Sequence, residues 1–88
     1  MGCVYILKSL KNQRYYIGST NDMDRRFSEH LEGGVKATKF LRPLEIVFKQ
    51  DFDSLLLARR VEYKLKKFKR KDIIERIIAE GLIKFSGL

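Results

Sequence analysis

The sequence predicts an α+β fold, a small three-stranded antiparallel sheet flanked by helices, in the order β-β-α-(α)-β-α-α. Three observations predict it. Two short runs rich in β-formers, Cys3–Leu7 and Arg14–Gly18, flank the polar stretch Ser9–Gln13, as the arms of a hairpin flank a turn. A third alternating run, Leu44–Phe48, follows Pro43. Elsewhere, apolar residues recur at the three- and four-residue spacing of helices.

Alternation in the first strand puts Cys3, Tyr5 and Leu7 on one face and Val4 and Ile6 on the other. In the second it separates Arg14, Tyr16 and Gly18 from Tyr15 and Ile17. Whether Tyr5 and Tyr16 share a face depends on the strand register, which the sequence leaves open. Asn21 is the expected cap of the first helix, with Asp24 as the acidic half of a capping box. Met23, Phe27 and Leu31 form its apolar stripe, Arg26 and His30 flank that stripe on one side, and Gly33-Gly34 ends it. Lys36–Arg42 reads as a short helix or a loop, stopped by Pro43. Asp53 or Ser54 caps the next helix, whose inward residues are Leu57, Ala58, Val61, Leu65 and Phe68. Asp72 is the expected cap of the last, with Ile73, Ile74, Ile77 and Ile78 inward and Gly81 at its end. Leu82–Leu88 is a tail to which the sequence assigns no structure.

Eighty-eight residues, 44% of them apolar, suit one folded domain spanning 1–88. The lone cysteine, Cys3, excludes an internal disulfide and reads as a buried, inert thiol within an apolar run. No Cys/His set has metal-ligand spacing, so zinc is not expected. With neither a signal segment nor a membrane-length apolar run, the expected location is cytoplasmic. Nineteen Lys and Arg against eleven Asp and Glu give a net charge of +8. That charge favours polyanionic partners, nucleic acid before acidic membrane. Eight basic residues fall between Arg59 and Lys71, against one acid, Glu62.

The stretch Tyr16–His30 has the composition of a site: a strand ending at Gly18, a polar turn, then a helix bearing Arg26 and His30 one turn apart. Arg26 is either an ion-pair partner of Asp22 or a fork for a phosphate oxygen. His30 either packs beside Phe27 or exchanges a proton nearby. Glu62 lies on the inward flank of a basic helix. It is either paired with Arg59 or Lys66, or it holds a hard cation such as Mg²⁺ together with substrate phosphate oxygens. Tyr5, Tyr15 and Tyr16 are good strand residues, and a tyrosine hydroxyl works as a base only beside cations. Lys36, Lys39, Arg42, Arg59, Arg60, Lys66 and Lys67 are the candidate nucleic-acid contacts.

Taken together, Cys3-Val-Tyr-Ile-Leu-Lys8, Tyr16-Ile-Gly18, Arg26, His30 and Ala58-x-x-x-Glu62 resemble the GIY-YIG nuclease domain. The stretch KATKFLRPLEIV resembles its small single-domain branch. Cys3-Val4-Tyr5 stands where the family name has Gly-Ile-Tyr, a departure that keeps β character and the tyrosine. The resemblance implies hydrolysis of DNA phosphodiesters with one Mg²⁺ or Mn²⁺, with RNA a second candidate substrate. It makes Tyr5 and Tyr16 the motif tyrosines, with Tyr5 the general base, Arg26 the catalytic arginine, His30 its companion and Glu62 the metal ligand. A non-catalytic nucleic-acid-binding module, or a subunit active only with a protein partner, are the rival readings.

Overall fold

A computed structural model describes residues 1–83. Its elements are β1 (Gly2–Ser9), β2 (Tyr15–Thr20), α1 (Met23–Leu31), a 3-10 turn (Lys39–Leu41), β3 (Leu44–Phe52), α2 (Leu55–Phe68) and α3 (Lys71–Glu80). The predicted order is therefore present, and β3 runs on to Phe52. Residues 84–88 of the predicted tail lie outside the described residues.

The strands run β2-β1-β3, antiparallel throughout. β1 is the central strand, which explains why it reads as an unbroken apolar run: both its faces are covered. Val4 and Ile6 join Phe48, Ala58, Val61, Leu65, Ile74 and Ile77 in the larger core, beneath α2 and α3. Tyr5 and Leu7 point to the opposite face with Leu44, where Met23 and Phe27 of α1, Tyr16 and Leu41 pack against them. The register settles the question left open above. Tyr5 pairs with Gly18 and Leu7 with Tyr16, so both motif tyrosines share the α1 face.

α1 departs from expectation at two points. Its cap is Asp22, whose carboxylate accepts the Arg25 N–H at 3.0 Å, while Asn21 takes the Arg25 guanidinium instead. Its stripe also turns. Steps of four residues drift by roughly 40° each, so Leu31 has rotated out of the sheet contact and is 47% exposed. His30 lies back near the direction of Met23 and is fully buried. At the far end of the chain, Ser54 caps α2. Arg70 rather than Asp72 takes the cap position of α3, and Asp72 accepts two bonds from the Arg70 guanidinium. Phe68, the last residue of α2, is 42% exposed, where the chain turns away through left-handed Lys69.

Candidate active site

The α1 face of the sheet gathers Tyr5, Tyr16 and His30. The Tyr5 hydroxyl lies 2.8 Å from His30 Nε2, and His30 Nδ1 lies 2.7 Å from Thr38 Oγ1. Both tyrosine rings meet the imidazole edge-on, with centroids at 5.6 Å for Tyr5 and 5.2 Å for Tyr16. A packed aromatic frame of this kind fixes ring orientation as well as burying area. Gly18, opposite Tyr5, leaves the space the frame needs: a Cβ there would overlap the Tyr5 ring carbon and hydroxyl.

Burial sets the charge state of this pair. Removal from water pushes the Tyr5 hydroxyl up to about 12, outweighing the downward pull of the Arg26 guanidinium. Arg26 alone therefore does not supply the cationic offset that a tyrosine base needs. Burial, assisted by Arg26 and opposed by Glu29, lowers His30 to about 4, so the imidazole is neutral near pH 7. Arg26 itself does not pair with Asp22. Its Nη1 donates to Glu29 at 3.0 Å, and its side chain stays about one-third exposed at the edge of the tyrosine pair.

A buried neutral histidine makes stability depend on pH. The unfolded chain protonates this group near 6.5 and the folded chain only near 4. Its contribution is whole above pH 6.5 and falls as pH drops through that window, losing about 3 kcal/mol. Urea titrations at pH 7 and pH 4.5 should show the loss. Because His30 is the chain's single histidine, a His30→Gln variant should show a clearly smaller change.

Glu62 arrives from α2 at the edge strand β2, where it meets Ser19. Ser19 of β2 donates to its Oε1, and Lys66 Nζ sits 2.6 Å from its Oε2. Lys66 is also 5.5 Å from the Tyr16 ring centroid, which ties Glu62 to the tyrosine side of the site. Of the two partners proposed from sequence, Lys66 is the one recorded at Glu62. Among the described residues no cluster of three His, Cys, Asp or Glu could hold a metal ion. A Mg²⁺-type cation nevertheless suits this donor set, because such ions take one or two carboxylates and fill the rest of their sphere with water and phosphate oxygens. Glu62 is partly exposed, and Lys66 would have to leave Oε2 for the ion to enter.

The other basic candidates do not converge on this site. Lys36 is exposed. Lys39 and Arg42 line a groove beside the 3-10 turn with Lys11 and Phe40. Arg59 and Arg60 line another on α2 with Leu56 and Tyr63, and Lys67 lies over the Tyr63 ring. Tyr15 faces the opposite side of the sheet from Tyr16, and its hydroxyl points to Glu75 at 3.4 Å. Two site neighbours escaped the sequence reading, Thr38 and Ser19. Ser19 had a signal, since it stands beside Gly18 in the strand that Glu62 must reach. Cys3 is buried, and burial raises its thiol, in keeping with an inert core residue. No described helix is long and apolar enough to cross a membrane.

Comparison with known proteins identifies the family. The GIY-YIG catalytic domain matches residues 1–76. The UPF0213 protein YazA of Bacillus subtilis is 40% identical over 68 residues, covering 76% of this chain and 68% of its own. The UPF0213 protein YhbQ of Escherichia coli K12 is 34% identical over 79 residues, 89% of this chain and 77% of its own. The solution NMR structure of the UPF0213 protein BH0048 from Bacillus halodurans superposes with a TM-score of 0.56 at 35% identity, covering 92% of this chain and 87% of that one. The chain belongs to the GIY-YIG catalytic domain family, and through it to the GIY-YIG nuclease superfamily.

Proposed function

We propose that this protein is a divalent-metal-dependent endonuclease that hydrolyses phosphodiester bonds in DNA, with selectivity for nucleic-acid structure rather than sequence. The observation that carries the reading is the hydrogen bond between the Tyr5 hydroxyl and a neutral, buried His30, with Arg26 at its open edge. A hydroxyl backed by a neutral imidazole can take a proton from water while passing its own inward. Arg26 offers a planar fork to the phosphoryl oxygens, where charge grows as water attacks phosphorus. Glu62 would hold Mg²⁺ or Mn²⁺, and that ion, when bound, neutralises charge on the phosphoryl group and leaving oxygen. Lys66, once displaced from Glu62, is free to meet a phosphate. The net charge of +8 supports a nucleic-acid substrate.

Purified protein incubated with nicked, branched and single-stranded DNA should cut at least one of them in Mg²⁺ or Mn²⁺ and none in EDTA. RNA oligonucleotides alongside decide between the two nucleic acids. A second reading rests on the Lys66–Glu62 ion pair, which satisfies the carboxylate without metal. Under that reading the protein binds nucleic acid without cutting it. Its binding would be steeply salt-sensitive, indifferent to EDTA and unchanged by Glu62→Ala.

A further inference from the structure

Thr38 is fully buried, and its hydroxyl meets the His30 imidazole. Its hydroxyl stands between two partners: His30 Nδ1 at 2.7 Å and the Val35 carbonyl at 3.5 Å. The Val35 carbonyl also accepts the Thr38 backbone N–H at 3.1 Å. A carbonyl oxygen can only accept, whereas a hydroxyl donates one hydrogen and accepts through its lone pairs. If the Thr38 hydrogen goes to Val35, its oxygen must accept from Nδ1–H. A neutral imidazole protonated at Nδ1 then has a bare Nε2, and the Tyr5 hydroxyl must donate to it.

We infer that Thr38 is a positioning residue: anchored on the Val35 carbonyl, it holds His30 as the Nδ1–H tautomer, so that Nε2 is available to receive the Tyr5 proton. The polarity then runs one way through four groups, Tyr5 O–H to Nε2, Nδ1–H to Thr38 Oγ1, and Thr38 O–H to the Val35 oxygen. In the opposite tautomer Nε2–H would point at the tyrosine oxygen. The tyrosine could then not pass its proton to the imidazole.

The inference rests on the nuclease reading for its use in turnover. In that step an attacking water loses a proton to the Tyr5 oxygen as its own oxygen bonds to phosphorus. The phosphorus–oxygen bond to the leaving strand breaks, and the departing oxygen takes a proton from solvent. The Tyr5 proton moves to Nε2, and His30 becomes an imidazolium that still donates from Nδ1 to Thr38. After the product leaves, that proton returns through Tyr5 to solvent, restoring the neutral ring. The other groups facing the imidazole do not dictate its tautomer. Tyr16 presents its ring edge-on, and Arg26 and Glu29 act on His30 through charge rather than through a hydrogen bond to a ring nitrogen.

The 15N spectrum of the single histidine reads this directly. Wild type at pH 7 should show one protonated and one bare ring nitrogen, and the bare one should be Nε2. In Thr38→Val, which keeps the shape and removes the hydroxyl, signal from the Nε2–H form should appear. The kcat of cleavage should fall about tenfold to a hundredfold, by analogy with the loss of a hydrogen-bond partner that orients a metal-bound histidine, with KM within about twofold. Thr38→Ser restores the hydroxyl and should recover both the tautomer and most of kcat, which a packing role for the threonine methyl would not predict. Should Thr38→Val not fold, the wild-type spectrum and the Thr38→Ser variant still decide. An Nε2–H tautomer in wild type overturns the inference. So does a Thr38→Val protein with unchanged tautomer and kcat. A wild-type protein with bare Nε2 that cuts no substrate overturns the nuclease reading and leaves the tautomer assignment standing.

Discussion

Arg26→Ala should slow phosphodiester cleavage by about 10³-fold or more while the protein stays folded. The side chain sits at the open edge of the tyrosine pair, one-third exposed and oriented by Glu29 at 3.0 Å. Glu29 raises its pKa, so its charge is permanent. Its side chain stays partly in solvent, so its removal should cost little stability. Its contribution is expected to appear when charge accumulates on the phosphoryl oxygens, and residues that stabilise such charge are worth roughly 10³–10⁵ in rate. Arg26→Lys should remain strongly impaired, because a point charge does not reproduce the two-pronged fork. Single-turnover kinetics with thermal melts of both variants separate this outcome from simple unfolding.

Tyr5→Phe should reduce cleavage by about 10²–10⁴-fold, the usual weight of a positioned acid–base group. The ring, almost completely buried, keeps its packing; what goes is the hydroxyl that meets His30. A buried imidazole nitrogen is then left unpaired, at a cost of about 1–3 kcal/mol in stability. Gly18→Ala provides an independent route to the same defect. Its methyl would overlap the Tyr5 ring tip and force the hydroxyl off Nε2 without altering any titrating atom. The two variants should therefore lose activity in the same direction, and the double variant should be no worse than about the stronger single one. Rates for the three proteins, measured side by side, test this.

Much of the fold was legible because strand alternation and helical spacing are local signals. The hairpin, the third strand and the two C-terminal helices could be placed from composition and period alone. The site was legible only in part, because its assembly is not local. That Tyr5 and Tyr16 face the same way follows from pairing Tyr5 with Gly18, a register no single strand encodes. The depth of His30 follows from the rotation of the α1 stripe, which turns Leu31 outward and His30 inward. Thr38 carries no signal in KATKF, since a threonine in a polar turn is ordinary until a buried imidazole is found against it. For Glu62 the sequence supplied Lys66 by helical spacing, while Ser19 required knowing that α2 packs over β2.

The convergence of β1, β2, α1 and α2 on one metal-assisted site is tested most directly by titrating Mn²⁺ into 15N-labelled protein bound to an oligonucleotide with non-hydrolysable linkages. Paramagnetic broadening should begin at Glu62 and Ser19, extend to Tyr16 and Lys66, then reach Tyr5 and Arg26, and it should vanish in Glu62→Gln. Broadening centred on other acids such as Asp24 or Asp72, or unchanged by Glu62→Gln, would contradict the account.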